Sequence, residues 1–358
     1  MMTGRERMER LLQRKKTDRI GLFEHFWADT QRHWHSQGHV EENVEWDDIF
    51  DFDMCKSGAF NLAGDLSKQI EIVEETEDTY LRRDQNFALM RWHKHHAGAP
   101  EHVDFLVKDY ASWQEHIKPH LTPGEYRINF GPYAETMKRA REKNLYFMLN
   151  GINVFEIMKN VCGHEHMLAG MALDPDWISD MTDTYSSLIV NLMEILFSRC
   201  GKPDGIWFSE DMGFKGRPFM SPAMYRELVL PAHKKTVGYA HSLGLPVIMH
   251  SCGFVEPLLP HMVEAGIDCL QAMEVKAGMD ILRIYKNYGD KISLMGGIDT
   301  RVLCDNDKNK IDRELSTKIP VVKQGFGYIL MSDHSIPNTV EFDTYKYFIE
   351  KGMELGQL

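Results

Sequence analysis

From about residue 145 the chain repeats one pattern: a short, largely apolar run followed by a longer amphipathic stretch. The runs are 145–149, 205–208, 245–249, 267–272, 292–295 and 327–331. Each is apolar on both faces, as a strand must be when helices cover both sides of a parallel sheet. An earlier run, 19–23, fits a first strand after an N-terminal helix over 5–16. Alternating strands and helices with right-handed crossovers leave a closed barrel or an open doubly wound sheet. No Gly-x-Gly-x-x-Gly follows an early strand, which removes support from the dinucleotide-binding open sheet. The chain therefore reads as α/β, a (β/α)8 TIM-type barrel forming a single domain over residues 1–358.

Helix starts support this phasing. Ser221-Pro222 places a capping hydroxyl and a helix-compatible proline ahead of a helix over 223–243. Gly253 precedes a helix over 255–264, and Asp280 one over 281–288. Residues 60–108 break the rule: IEIVEE, TYLRRD, FALMRWHK and HVDFLVK alternate apolar and polar residues between turns. They read as an antiparallel β excursion laid over the barrel. Within it, Trp92, His93, His95 and His96 are expected on a solvated turn. The acidic run Asp47, Asp48, Asp51, Asp53 reads as a solvated helix face and caps, with Asp53 placed to reach the cavity.

Charge and composition narrow the function. With 41 basic against 53 acidic side chains the net charge is −12, and no basic stripe exists to hold a nucleic acid. No run is long and apolar enough to span a membrane, and the first twenty residues lack the apolar stretch of a secretion signal. Six scattered cysteines do not form the dense framework of a small secreted domain. A cytoplasmic enzyme with free thiols and a small-molecule substrate is the expectation.

In a parallel βα fold, catalytic groups lie just after the strands. Here the strand ends carry Glu24-His25, Asn150-Gly151, Glu210-Asp211, His250-Ser251-Cys252, Glu274, Gly296-Gly297-Ile298-Asp299 and Asp333-His334-Ser335. Capping and turn roles explain Ser335, Gly297 and Asp299. They do not explain paired carboxylates or a histidine with a cysteine two residues on. Side chains alternate along a strand, so His250 and Cys252 face the same way. An imidazole and a thiolate make half of a zinc site. For the third ligand His334 leads, followed by Asp333 and Glu210, with Cys269 and Cys304 poorer. The competing reading has Cys252 simply packing and His250 bonding a substrate carboxylate.

The blocks DGIWFSEDMG, FMSPAMYRELVLPAHKKTVGYAHSLGLPVIMHSCG, MVEAGIDCLQAME, YGDKISLMGGID and YILMSDHSIPNTVEF, with FEIMKNVCGHEHMLAGMALDP at 155–175, resemble the uroporphyrinogen decarboxylase superfamily. True decarboxylases carry an arginine-rich segment after the first strand to clasp a polycarboxylate. Here GLFEHFWADTQRHW presents Glu24 and Asp29, with Arg32 the lone base. The resemblance is closer to the cobalamin-dependent methyltransferases, in which a His, a Cys two residues on and a distant Cys bind zinc. It implies zinc at His250 and Cys252, with His334 or Asp333 where the family has its distant Cys. It also implies a corrinoid on a separate carrier protein and a homodimer as a common assembly. On this reading Glu210, Asp211, His250 and His334 do the chemistry. Glu24, His25, Asn150, Glu274 and Asp299 line the substrate. A metal-free decarboxylase of a tetrapyrrole or other acid is the alternative, and a non-catalytic tetrapyrrole binder a third.

Overall fold

The computed structural model describes residues 2–95 and 98–358, so His96 lies outside the described residues. It is a mixed α/β fold around a curled, eight-stranded parallel sheet. The strands are β1 (Gly21–Leu22), β2 (Met54–Gly58), β3 (Tyr146–Ile152), β4 (Gly205–Ser209), β5 (Val247–Ser251), β6 (Cys269–Ala272), β7 (Ser293–Gly296) and β8 (Tyr328–Leu330). Their order follows the chain, β2 to β8 and then β1. The two edge strands also meet: Asp53 N donates to Leu22 O at 2.9 Å, and Leu22 N to the Asp53 carboxylate at 2.8 Å.

Seven of the eight strands fall on the apolar runs read from the sequence. The eighth, β2, was not anticipated. Asp53 sits at the N-terminal end of β2, where Tyr146 N at the start of β3 donates to its carbonyl at 2.9 Å. Its buried carboxylate accepts from Arg7 and Arg19. The expectation that Asp53 reaches the cavity is therefore corrected: it lies at the other end of the strand, in an ion cluster joining the N-terminal helix (Gly4–Leu12), β1 and β2. That helix ends earlier than read, because Arg14 takes a left-handed φ of 52°.

The helix expected over 223–243 runs from Pro222 to Ser242 with a five-residue π turn at Tyr225–Val229. The excursion is a four-stranded antiparallel sheet of Glu71–Glu75, Thr79–Arg83, Leu89–His93 and Glu101–Asp104. Trp92 and His93 end a strand instead of forming a turn, and Arg82 stacks on the Trp92 ring at 5.1 Å. Buried side chains from Met8 to Phe348 form one continuous core, with a small satellite of Ala88, Met90 and Phe105 beneath the excursion. Among the described residues no helix is long and apolar enough to cross a membrane, and the six cysteines are unpaired.

Candidate active site

Side-chain alternation decides which groups enter the mouth of the sheet. On β5, Ile248 and His250 face inward; on β6, Gln271, whose Cα pairs with that of His250, does the same. Gln271 Oε1 holds His250 Nδ1. This leaves Nε2 facing Cys252 Sγ at 3.4 Å and Asp211 Oδ1 at 3.3 Å. The loop after β4 reaches this point because two glycines let backbones touch. A Cβ on Gly253, at φ 77°, would lie 2.2 Å from Gly213 C, and one on Gly213 would lie 2.5 Å from Cys252 O. Phe254 N then donates to Phe214 O at 2.9 Å, and Cys252 N to Asp211 Oδ1 at 2.9 Å.

Asp211, His250 and Cys252 thus offer an oxygen, a nitrogen and a sulfur within 4.8 Å of one another, the single such group among the described residues. His334, expected as the third ligand, is not part of this group; the carboxylate of Asp211, from the loop after the neighbouring strand β4, takes that place. The ring of His334 lies 5.8 Å from that of Trp27. Burial acts to raise the Asp211 pKa, but the hydrogen bond and charge of His250 hold it well below the carboxylate range. Burial opposes a charged His250 too, yet Cys252 and Asp211 push its pKa well above the usual imidazole value. Burial raises the Cys252 thiol, against the pull of His250.

Glu210 goes the other way, since successive side chains alternate. It is fully buried and accepts from Phe155 N at 2.8 Å and Glu156 N at 3.0 Å, the start of the helix Val154–Leu173. His233 Nε2 meets it at 2.6 Å, and Tyr225 Oη, on the π turn, meets His233 Nδ1 at 2.7 Å. Asp333 is likewise consumed, by Val275 N, Thr300 N and Thr300 Oγ1. Glu274 accepts from Gly253 N at 2.7 Å and braces the loop that carries Cys252. Asp299 caps the helix Thr300–Cys304 and pairs with Arg301.

Glu24 is buried and accepts from Ser332 N at 2.9 Å, Ser332 Oγ at 3.0 Å and His25 N at 3.0 Å. Burial raises its pKa to about 8. His25 packs against the rings of Phe23 and Trp207, at 5.1 and 5.3 Å, and its Nε2 is buried without a partner. Burial, with Lys56 and His250 nearby, drives its pKa well below 6.5. Asn150 also holds a buried, unpartnered oxygen, and lines a cavity of about 530 Å³ with Gly58, Asn61, Asn86 and Asn160. That cavity opens at the ends of β2 and β3, to the side of Asp211, His250 and Cys252.

Three residues of the mouth were not singled out from the sequence: Lys56, Trp207 and Gln271. Lys56 Nζ lies 4.2 Å from the centre of the Trp207 ring, which stacks on His250 at 6.5 Å. The signal for Gln271 was present, as a carboxamide inside an otherwise apolar strand. Lys56 lies on the one strand that apolar runs did not reveal.

The sequence profile of the family described as uroporphyrinogen decarboxylase (URO-D) matches residues 153–354. A methylated-thiol–coenzyme M methyltransferase of Methanosarcina mazei is 26% identical over 152 residues, 42% of this chain and 38% of that protein. The match thus spans well under half of the curated relative's length. A solved methyltransferase structure from Methanosarcina mazei superposes over 99% of both chains with a TM-score of 0.70, at 14% identity, and so shares the fold. The profile covers more than half of the chain, which therefore belongs to the uroporphyrinogen decarboxylase family, with methyltransferases among its relatives.

Proposed function

We propose that this protein is a zinc-assisted methyltransferase, moving a methyl group between a small methylated compound and a corrinoid held on a separate carrier protein. The curled sheet is read here as a (β/α)8 barrel of the TIM type closed at the seam between β1 and β2, one domain over residues 1–358 with the excursion as an insertion. The observation that carries the reading is the convergence of Asp211, His250 and Cys252 at the sheet mouth.

The donor set fits zinc, which takes sulfur, imidazole nitrogen and carboxylate oxygen and in catalytic sites leaves a fourth position open. When bound there, zinc supplies Lewis-acid polarisation of the atom that carries the methyl group. The chain's own residues prepare that place. Gln271 fixes the His250 ring through Nδ1, so that Nε2 is the atom offered. Asp211 holds the Cys252 amide, locking the two loops together, and would be the oxygen ligand; the protons of His250 and Cys252 would leave to solvent as a metal binds. Trp207 walls the mouth and limits water. With one thiolate in place of two, the set is less electron-rich, which favours an oxygen- or nitrogen-bound methyl group over a thiol as reactant.

Metal analysis of protein purified without chelator tests this directly. About one equivalent of zinc is expected, dropping to a small fraction in Cys252→Ala and Asp211→Ala and unchanged in His334→Ala. Only trace zinc in the wild type, with methyl transfer intact in Cys252→Ala, would end the metal reading.

A further inference from the structure

The mouth holds one group that the reading above leaves idle. Lys56 comes from the middle of β2, and it is the cation placed over the Trp207 face. Among the described residues no carboxylate pairs with it, although Glu24, Glu156, Asp211 and Glu274 all stand around the strand ends. Those four are engaged elsewhere: Glu24 with Ser332, Glu156 with Lys159, Asp211 with His250, Glu274 with Gly253 and Lys276. On either side of Lys56, β1 and β3 contribute polar atoms that are buried and unpartnered, His25 Nε2 and Asn150 Oδ1. Trp207 joins them all, because its Cα pairs with that of Asn150 and its ring touches Lys56, His25 and His250.

An unpaired lysine beside two polar side chains with unspent hydrogen-bonding capacity is costly to keep in a packed mouth without a ligand. We infer that Lys56, His25 and Asn150 form an anion subsite that takes a single carboxylate of the substrate and holds it across the Trp207 indole from Asp211, His250 and Cys252. The ammonium of Lys56 supplies the charge-assisted hydrogen bond, and His25 and the Asn150 amide, with its oxygen and nitrogen interchanged, donate the neutral ones. Carboxylate is favoured over phosphate, since the single ammonium of Lys56 offsets one negative charge and the carboxylate of Asp211 across the mouth disfavours a second. Burial agrees with the assignment, lowering the empty Lys56 amine to about 7; a bound anion would restore its charge. The inference rests on the methyl-transfer reading for the position of the reacting end, but not for the anion subsite itself.

Equilibrium binding separates the two. Methoxyacetate, 4-methoxybenzoate and 3-(methylthio)propanoate are titrated calorimetrically into the full-length protein, each beside its primary amide, so that charge is the main difference. At least one carboxylate should bind about tenfold more tightly than its amide. In Lys56→Met that preference should vanish while the amide's affinity stays the same, and Lys56→Arg should restore most of it. No preference in the wild type, or one that survives Lys56→Met, overturns the subsite. A preference lost in Cys252→Ala but kept in Lys56→Met does so too, by placing the carboxylate at the other end. Because no methyl group moves in this measurement, a protein that keeps the Lys56-dependent preference yet transfers no methyl group sinks the proposed function and leaves the subsite standing.

Discussion

At the scale of single residues, the site depends on orientation as much as on ligand chemistry. Gln271 touches no reacting atom, yet it selects which nitrogen of His250 faces Cys252. Gln271→Ala should weaken zinc affinity by about 10–100-fold without unfolding the protein. Competition with a chromophoric chelator measures this, and an unchanged affinity would remove the orienting role. Glu24 gives a second residue-level expectation. Its folded pKa, near 8, is above the unfolded value, so the folded state binds the extra proton between about pH 4.5 and 8. The stability this adds is whole below that window and is lost as pH rises through it. Relative to Glu24→Gln, the wild type should lose up to about 1.4 kcal/mol per pH unit between pH 5 and 8. Paired melts of the two proteins check the sign. The residue pair Glu210-Asp211 also shows where sequence reading stops: both carboxylates were visible, but which of them faces the mouth follows from strand parity at the end of β4.

At the scale of elements, Glu210 connects three pieces of structure. It receives the first amides of the helix Val154–Leu173, it follows β4, and it meets His233 on the helix Leu230–Ser242. Glu210→Ala leaves two buried N–H groups and an imidazole without their acceptor. A loss of about 2–4 kcal/mol is expected, with zinc content preserved in whatever fraction stays folded. Urea unfolding followed by far-UV circular dichroism gives the first number; a loss below 1 kcal/mol would show that water replaces the carboxylate. Strands were easy to read where both faces are apolar, as in β4, β5 and β8. The strand β2 was not, because Asp53, Lys56 and Ser57 interrupt its apolar character. Asp53 holds the ion cluster at one end and Lys56 faces inward over Trp207, so polar residues with structural partners broke the pattern by which a strand is recognised.

At the scale of the whole molecule, the edges of the sheet are joined by short elements. β1 has two residues, and the Asp53 cluster ties it to β2 and to the N-terminal helix. Asp53→Ala would remove the buried carboxylate that Arg7 and Arg19 share, leaving Arg7 to Asp18 alone, at a cost of about 1.5–3 kcal/mol. Zinc content of the folded fraction should not change, because the cluster sits at the end of β2 remote from the mouth. Chemical denaturation with parallel metal analysis checks both halves, and lost metal at full stability would contradict the placement. Strand order around the curl was legible from the alternation of runs and helices. His250 and Cys252 were legible from their spacing; that Asp211 joins them was not, since it depends on which strands are neighbours, a property of the assembled sheet.

The mixed donor set has a consequence for the cell. One oxygen, one nitrogen and one sulfur discriminate weakly between divalent ions of the late first transition row, and preference among them follows availability as well as ligand softness. Protein made in cobalt-supplemented medium should accordingly take up cobalt at these three residues, with the sulfur-to-metal charge-transfer absorption that Cys252 alone would provide. The colour of the preparation would then report which ion the growth conditions had supplied.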